Sequence, residues 1–129
     1  MHESNAQLLK DLYSAFDNAD LATIQSSLAE DSVIHFAGAG PLAGTYKGKD
    51  EVLGLLAEFI SRSEGTYKIK IHDVLASDDH VVVLSESTAK RADKELFEQG
   101  VEVFHVKDGQ IAEAFFTGMN LEGMHDFFS

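Results

Sequence analysis

The amino half of the chain carries apolar side chains at helical spacing in three stretches. The spacing predicts an amphipathic helix over residues 4–17 and a short second helix for which Asp20 is a suitable N-cap. A third helix is expected to begin near Gly48, with Asp50 and Glu51 in its first turn, where the helix dipole favours acidic side chains. The positions expected to face inward on the three helices are Leu8, Leu9, Leu12, Tyr13, Phe16, Leu21, Ile24, Leu28, Val52, Leu53, Leu55, Leu56, Phe59 and Ile60.

The rest of the chain follows a period of two. "DSVIHF" predicts a strand before the third helix, and from Thr66 onward apolar and polar residues alternate through "VVVLSESTAKR", "LFEQGVEVFHV" and "IAEAFF". Asp108-Gly109, between Val106 and Ile111, is a strong hairpin signal. We therefore expect an α+β fold, in which three helices cover one face of a curved antiparallel sheet.

The second face of this sheet also carries apolar side chains. In "VEVF" and "EAFF", apolar or aromatic residues fall at both parities of the strand. A homodimer that forms through the sheet would bury this second face.

Composition limits the classes of partner. A length of 129 residues predicts one domain, 1–129, and a hydrophobic content of 44% is typical of a globular protein. The 22 acidic and 10 basic residues give a net charge of -12, with no basic cluster that could bind nucleic acid. No apolar run reaches the ~18 residues of a membrane span. We expect a cytoplasmic protein that binds neither nucleic acid nor a membrane.

The glycine-rich stretch "HFAGAGPLAGTYKGKDEV" raises the question of phosphate binding. Its "GTYKGKD" segment is one residue short of a P-loop and places Asp50 where a Mg²⁺-binding hydroxyl is required. The spacing of Gly38, Gly40 and Gly44 also fails the dinucleotide-binding pattern, and the acidic first turn of the helix would repel an anion. The stretch is either the rim of a pocket or a plain connector.

The sequence has no pattern that is typical of a metal site or of an activated nucleophile. His72 and Asp73 are neighbours on a strand and point to opposite faces, whereas Asp79 and His80 lie in a turn. The serines and the threonine at positions 85, 87 and 88 lack the context of an activated nucleophile. We expect neither a metal nor a cofactor.

Three segments, in the order in which they occur, resemble the nuclear transport factor 2-like superfamily and, within it, the SnoaL-like group. They are "AEDSVIHFAGAGPLAGTYKGKDEVLGLL", "HDVLASDDHVVVL" and "VEVFHVKDGQIAEAFF", of which "PLAGTYKGKDEV" and "VKDGQIAEAFF" are the most specific parts. The resemblance covers nearly the whole chain. It implies a cone-shaped α+β barrel, usually dimeric through the sheet, with a mostly apolar pocket at its open end. It does not imply one reaction.

His35 is the first candidate for proton transfer, and Glu102 is a candidate hydrogen-bond donor to an oxyanion. His35 ends the first strand beside the glycine-rich loop and could act as an acid, a base or a hydrogen-bond donor. The resemblance places the aspartate of the steroid isomerases at His35 or, with a shift of one residue, at Phe36. Glu102 interrupts a run suited to burial, near the position where those isomerases keep a protonated acid. The alternatives are a structural histidine and an exposed or paired glutamate.

Two further positions depart from the family pattern. Asn120 stands where cyclase-like members often place an acidic base, and an amide can bind a ligand but cannot remove a proton. The isomerase tyrosine falls at Leu12, one position before Tyr13, which could direct its hydroxyl into the cavity or belong to the core.

Two function classes follow. In the first, a small apolar, oxygen-bearing molecule binds in the cone and undergoes isomerisation, cyclisation or dehydration. His35 acts as the base or acid, and Glu102 or Tyr13 donates a hydrogen bond to the developing oxyanion. In the second, the protein is a non-catalytic dimeric carrier or interaction module. A cavity of several hundred Å³ would favour the first class. The remaining residues predicted to contact the ligand are Phe36, Leu56, Phe59, Phe104, Phe116 and Asn120.

Overall fold

The computed structural model describes residues 2–38 and 40–129, with the side chains from residue 3 onward. Four helices and six strands form an α+β domain, which confirms the predicted fold class. In chain order the elements are α1 (His2–Asp17), α2 (Leu21–Ser27), β1 (Leu28–Phe36), β2 (Gly44–Lys47), α3 (Lys49–Arg62), β3 (Lys68–Ala76), β4 (His80–Arg91), β5 (Lys94–Lys107), β6 (Gln110–Gly118) and α4 (Leu121–Phe128).

The strands form one curved, unclosed sheet in the order β2-β1-β6-β5-β4-β3. Strands β3 to β6 make the predicted antiparallel meander, and β1 pairs with β2 in an antiparallel manner. Between β1 and β6, however, the pairing is parallel. The sheet is therefore mixed, because an alternating pattern predicts which residues form a strand and which face they occupy but not the direction of the neighbouring strand.

Local signals set several boundaries. The Asp20 carboxylate accepts a hydrogen bond from the Thr23 backbone N–H at 3.3 Å, as expected of the N-cap of α2. Asp108 and Gly109 both have positive φ, of 53° and 74°, so the β5–β6 turn has the backbone that Asp-Gly favours. The N-cap of α3 is Gly48, whose φ of 87° suits glycine.

Two elements were not predicted. Strand β2 lies within the glycine-rich stretch and pairs with the end of β1, with Tyr46 opposite Ile34. Helix α4 begins after Asn120 and packs against β5, and it buries Met124, Phe127 and Phe128. Helices α1, α3 and α4 together cover the inner, concave face of the sheet.

Within residues 2–38 and 40–129, no helix has the length and apolar character needed to cross a membrane.

The outer face of the sheet carries a row of apolar side chains. Cross-strand pairing aligns Leu75, Val82, Val103 and Phe115 from β3 to β6. Leu75 and Phe115 are 54% and 46% exposed. This outer apolar row is the feature that the double-sided strand pattern indicated.

Candidate functional site

A cavity of about 100 Å³ lies between the helices and the inner face of the sheet. Most of its wall is aliphatic or aromatic, with contributions from α1, α3, α4 and several strands. The volume is smaller than the several hundred Å³ that we expected, and it is of the same order as cavities that hold a benzene molecule. The interior is therefore not solid, but its guest must be small unless side chains move.

The structure brings seven of the nine predicted site residues together around this cavity. They are Tyr13, Phe36, Leu56, Phe59, Glu102, Phe104 and Phe116. The two that do not line it are His35 and Asn120.

His35 lies on the opposite face of the sheet. Its Nε2 is 2.7 Å from Glu113 Oε2, its Nδ1 is 3.1 Å from Thr45 Oγ1, and its ring stacks on Phe115. Neighbouring strand residues point to opposite faces, so Phe36, and not His35, faces the cavity. A role for His35 in proton transfer within the cavity is not compatible with this position.

Asn120 is the N-cap of α4. Its Oδ1 accepts a hydrogen bond from the Gly123 backbone N–H at 3.0 Å. The side chain therefore serves the first turn of the helix and does not contact the cavity, which corrects the prediction that it binds a ligand.

Tyr13, Ser85 and Glu102 form a hydrogen-bonded cluster at the wall of the cavity. The Tyr13 hydroxyl donates to Glu102 Oε1 at 2.6 Å, and the Ser85 hydroxyl donates to Glu102 Oε2 at 3.0 Å. Glu102 is 6% exposed, and Tyr13 packs edge-on against the Phe104 ring. The carboxyl group is thus held in a fixed orientation on an apolar surface.

This environment changes the protonation of Glu102. Burial raises its pKa to about 7, although the hydrogen bonds from Tyr13 and Ser85 act in the opposite direction. Burial and the neighbouring Glu102 charge also raise the pKa of Tyr13 well above its ordinary value, so its hydroxyl keeps its proton. Near neutral pH, Glu102 can therefore both accept and donate a proton, as an acid–base catalyst must.

A second carboxyl group, which the sequence analysis did not identify, also lines the cavity. Glu98 is 3% exposed and accepts a hydrogen bond from the Asn120 backbone N–H, at 2.8 Å and 3.0 Å to its two oxygens. Glu98 and Glu102 lie four residues apart on β5, so both point to the inner face. Sequence parity alone could have identified Glu98, because it shares its face with Leu96 and Phe104.

Two glycines leave space for these carboxyl groups. Gly100 and Gly118 are opposite each other on β5 and β6. A Cβ atom at Gly100 would overlap the Glu102 carboxylate and the Ser85 hydroxyl, and one at Gly118 would lie 2.7 Å from Glu98 Cδ. The two carboxyl groups that lie above this glycine pair form the polar end of the cavity. We call the pair, Gly100 and Gly118, the glycine floor.

The side chains present do not suggest a metal centre. Across the two described ranges, no group of three or more His, Asp or Glu side chains has an arrangement that could hold a metal ion. The functional chemistry that the geometry offers is that of the two carboxyl groups and their hydroxyl neighbours.

Comparisons with known proteins agree with this architecture. The model of the SnoaL-like domain matches residues 9–114. The uncharacterized protein Rv0034 of Mycobacterium tuberculosis is 28% identical over 110 residues, which cover 84% of each chain. Bal32a, from a soil-derived mobile gene cassette, superposes with a TM-score of 0.96 at 27% identity and covers 99% of this chain and 98% of its own.

A more distant structure shares the fold alone. An LEH-like epoxide hydrolase of Mycobacterium tuberculosis is 19% identical, with a TM-score of 0.77, and covers 98% of this chain and 90% of its own. The same fold can thus carry an enzyme, but this likeness does not transfer a reaction.

Proposed function

The chain belongs to the SnoaL-like domain family, and within that family we propose that it is an enzyme that transfers a proton on a small apolar molecule, with Glu102 as its acid–base group. The substrate carries a carbonyl or similar oxygen. Isomerisation of a double bond next to that oxygen is the simplest reaction of this class.

The observation that carries the proposal is the setting of Glu102. A carboxyl group with a pKa of about 7 lies at the wall of an apolar cavity, and two hydroxyl donors fix both of its oxygens. A pKa near the working pH keeps an appreciable fraction of the carboxyl group in its basic form. At the same time, the carboxylate is a stronger base than one with an ordinary pKa. Structural surface glutamates have neither property.

The step itself needs only the side chains of this protein. The Glu102 carboxylate takes a proton from the carbon next to the substrate carbonyl. The C–H electron pair forms a carbon–carbon double bond, and the π pair of the carbonyl moves to its oxygen, which gives an enolate. The protonated Glu102 then returns the proton to a different carbon, and the carbonyl is restored. Tyr13 and Ser85 stabilise the carboxylate form and orient it, so they are positioning residues in this scheme.

A sharp test uses cyclohex-3-en-1-one, whose ring has the size of benzene, and follows its conversion to the conjugated enone by NMR. We expect catalysis above buffer, with kcat/KM rising with pH through an apparent pKa near 7 because the base form is required. Glu102→Gln should lower the rate by roughly 10²-fold or more. Glu95→Gln, an exposed glutamate on the same strand, is the matched control and should leave the rate unchanged.

Equal rates in the wild type and Glu102→Gln would refute the proposal. The alternative, a non-catalytic carrier, is favoured by the absence of His35 and Asn120 from the cavity, which leaves fewer catalytic groups than expected. A protein that binds the ketone but converts neither it nor other small unsaturated ketones would be such a carrier.

We also propose that the protein forms a homodimer through the outer apolar row. Its support is the alignment of Leu75, Val82, Val103 and Phe115 across four strands, with the Phe115 ring 46% exposed. Sedimentation should give twice the mass of one chain, and Phe115→Asp should halve it. Leu21→Asp, on an exposed apolar residue of α2, is the control. A monomeric wild type would refute this assignment.

A further inference from the structure

The cavity lining is unbalanced in charge. Both Glu98 and Glu102 line it, whereas no Lys, Arg or His side chain from the described ranges does so. Histidines 35, 80 and 105, which could otherwise supply a positive charge, lie on the other face of the sheet or at its edge. The polar end of the cavity is therefore acidic, and the remainder is mainly apolar.

Glu98 has unused hydrogen-bonding capacity. A carboxylate can accept about four hydrogen bonds. The described residues supply the Asn120 backbone N–H and no ion-pair partner for this side chain. Buried polar groups are normally hydrogen-bonded, so the remaining acceptor positions of Glu98 suit a donor on a bound molecule. Glu98 lines the cavity, so a molecule bound there can reach its carboxyl group.

We propose that the cavity selects its ligands by charge, and that it binds small apolar molecules which present a hydrogen-bond donor, a hydroxyl or a protonated amine, to Glu98 and excludes anions. This inference rests on the proposed function in that it concerns the same cavity, and it assigns Glu98 as a specificity residue.

The walls support the same selection. Seven aromatic rings line the cavity, those of Tyr13, Phe16, Phe36, Phe59, Tyr67, Phe104 and Phe116. The face of an aromatic ring attracts a cation and repels an anion. A carboxylate ligand would meet two buried acidic groups and these ring faces, with no positive side chain to compensate it.

Three ligands with the same ring test this inference by NMR titration at pH 8. They are benzylamine, benzyl alcohol and benzoate, which are cationic, neutral and anionic at that pH. For the wild type we expect benzylamine to bind most tightly, and benzoate to bind at least about tenfold more weakly than benzyl alcohol. Glu98→Gln keeps the acceptor for the Asn120 N–H, and it should reduce the ratio of benzylamine to benzoate affinity by at least about tenfold. Glu95→Gln should change no ratio.

The inference is overturned if benzoate binds the wild type as tightly as benzyl alcohol, if no binding of benzylamine is seen, or if Glu98→Gln keeps the full discrimination. The order of the three ligands on the wild type decides the question even where Glu98→Gln fails to fold. Because no turnover is measured, charge selection without ketone isomerisation would reject only the proposed reaction. Isomerisation without charge selection would reject only this inference.

Discussion

Replacement of Glu102 by glutamine should stabilise the protein, even though it removes the proposed catalytic group. The folded state holds this carboxyl group at a pKa of about 7, against an ordinary value of 4.5, chiefly because burial penalises the charged form. The difference corresponds to about 3 kcal/mol of lost stability when the group is ionised in both states. Glutamine has nearly the same shape and can keep partners for Tyr13 and Ser85, but it carries no charge to desolvate.

The sign of the pH dependence follows from linkage. Below pH 4.5 the carboxyl group is protonated in the folded and the unfolded chain, and it causes no penalty. As the pH rises from 4.5 to about 7, the unfolded chain releases the proton first, so the free energy of unfolding of the wild type falls. Above pH 7 the penalty is constant. Glu102→Gln should therefore exceed the wild type by about 3 kcal/mol at pH 8 and by about 1 kcal/mol at pH 5.5.

Urea unfolding at the two pH values, followed by circular dichroism, measures this difference. Glu95→Gln removes the same charge from an exposed position on the same strand and should give no comparable gain. A Glu102→Gln protein that is less stable than the wild type at pH 8, or that matches the stability of the wild type at both pH values, would show that Glu102 is not held in a desolvated state.

Two further changes examine the same site. Gly100→Ala places a methyl group against the Glu102 carboxylate and the Ser85 hydroxyl, so ligand affinity, measured by NMR titration, and turnover should both fall at least about tenfold. Gly54→Ala in α3 is the control. Its methyl group meets nothing within 4 Å, and calorimetry should show that it stabilises the protein by about 1 kcal/mol. Tyr13→Phe removes a hydrogen bond that lowers the pKa of Glu102, so the pH–rate profile should shift to higher pH, and an unchanged profile would contradict the assigned role of Tyr13.

The elements with strong periodicity were predictable. The α1 helix, the Asp20 cap and the β5–β6 turn follow from residues close together in sequence, and the structure has them where they were expected. Strand β2 and helix α4 were missed because they are short and because β2 consists of residues from a glycine-rich stretch. The parallel pairing of β1 with β6 depends on contacts between distant parts of the chain, about which local patterns carry no information.

The candidate site was predictable to the extent that strand parity determines it. Glu102 and the ring of Phe36 are on the inner face, but the choice between His35 and Phe36 required the actual register of β1. The hydrogen bond between Tyr13 and Glu102 joins residues 89 positions apart, so no local pattern contains it. Glu98 was overlooked although its parity matches that of Glu102, since a glutamate in a strand is usually solvated.

The glycine floor affects how much of the backbone must become ordered when a ligand binds. Gly100 and Gly118 are members of hydrogen-bonded strands, so the room above them comes from missing side chains and not from loosely packed elements. The Glu98 and Glu102 carboxyl groups already occupy this space before any ligand binds, and holding them there demands no further ordering of the backbone. Amide hydrogen exchange along β5 and β6 should therefore change little on binding, because the backbone at this end of the cavity is already ordered when the chain has folded.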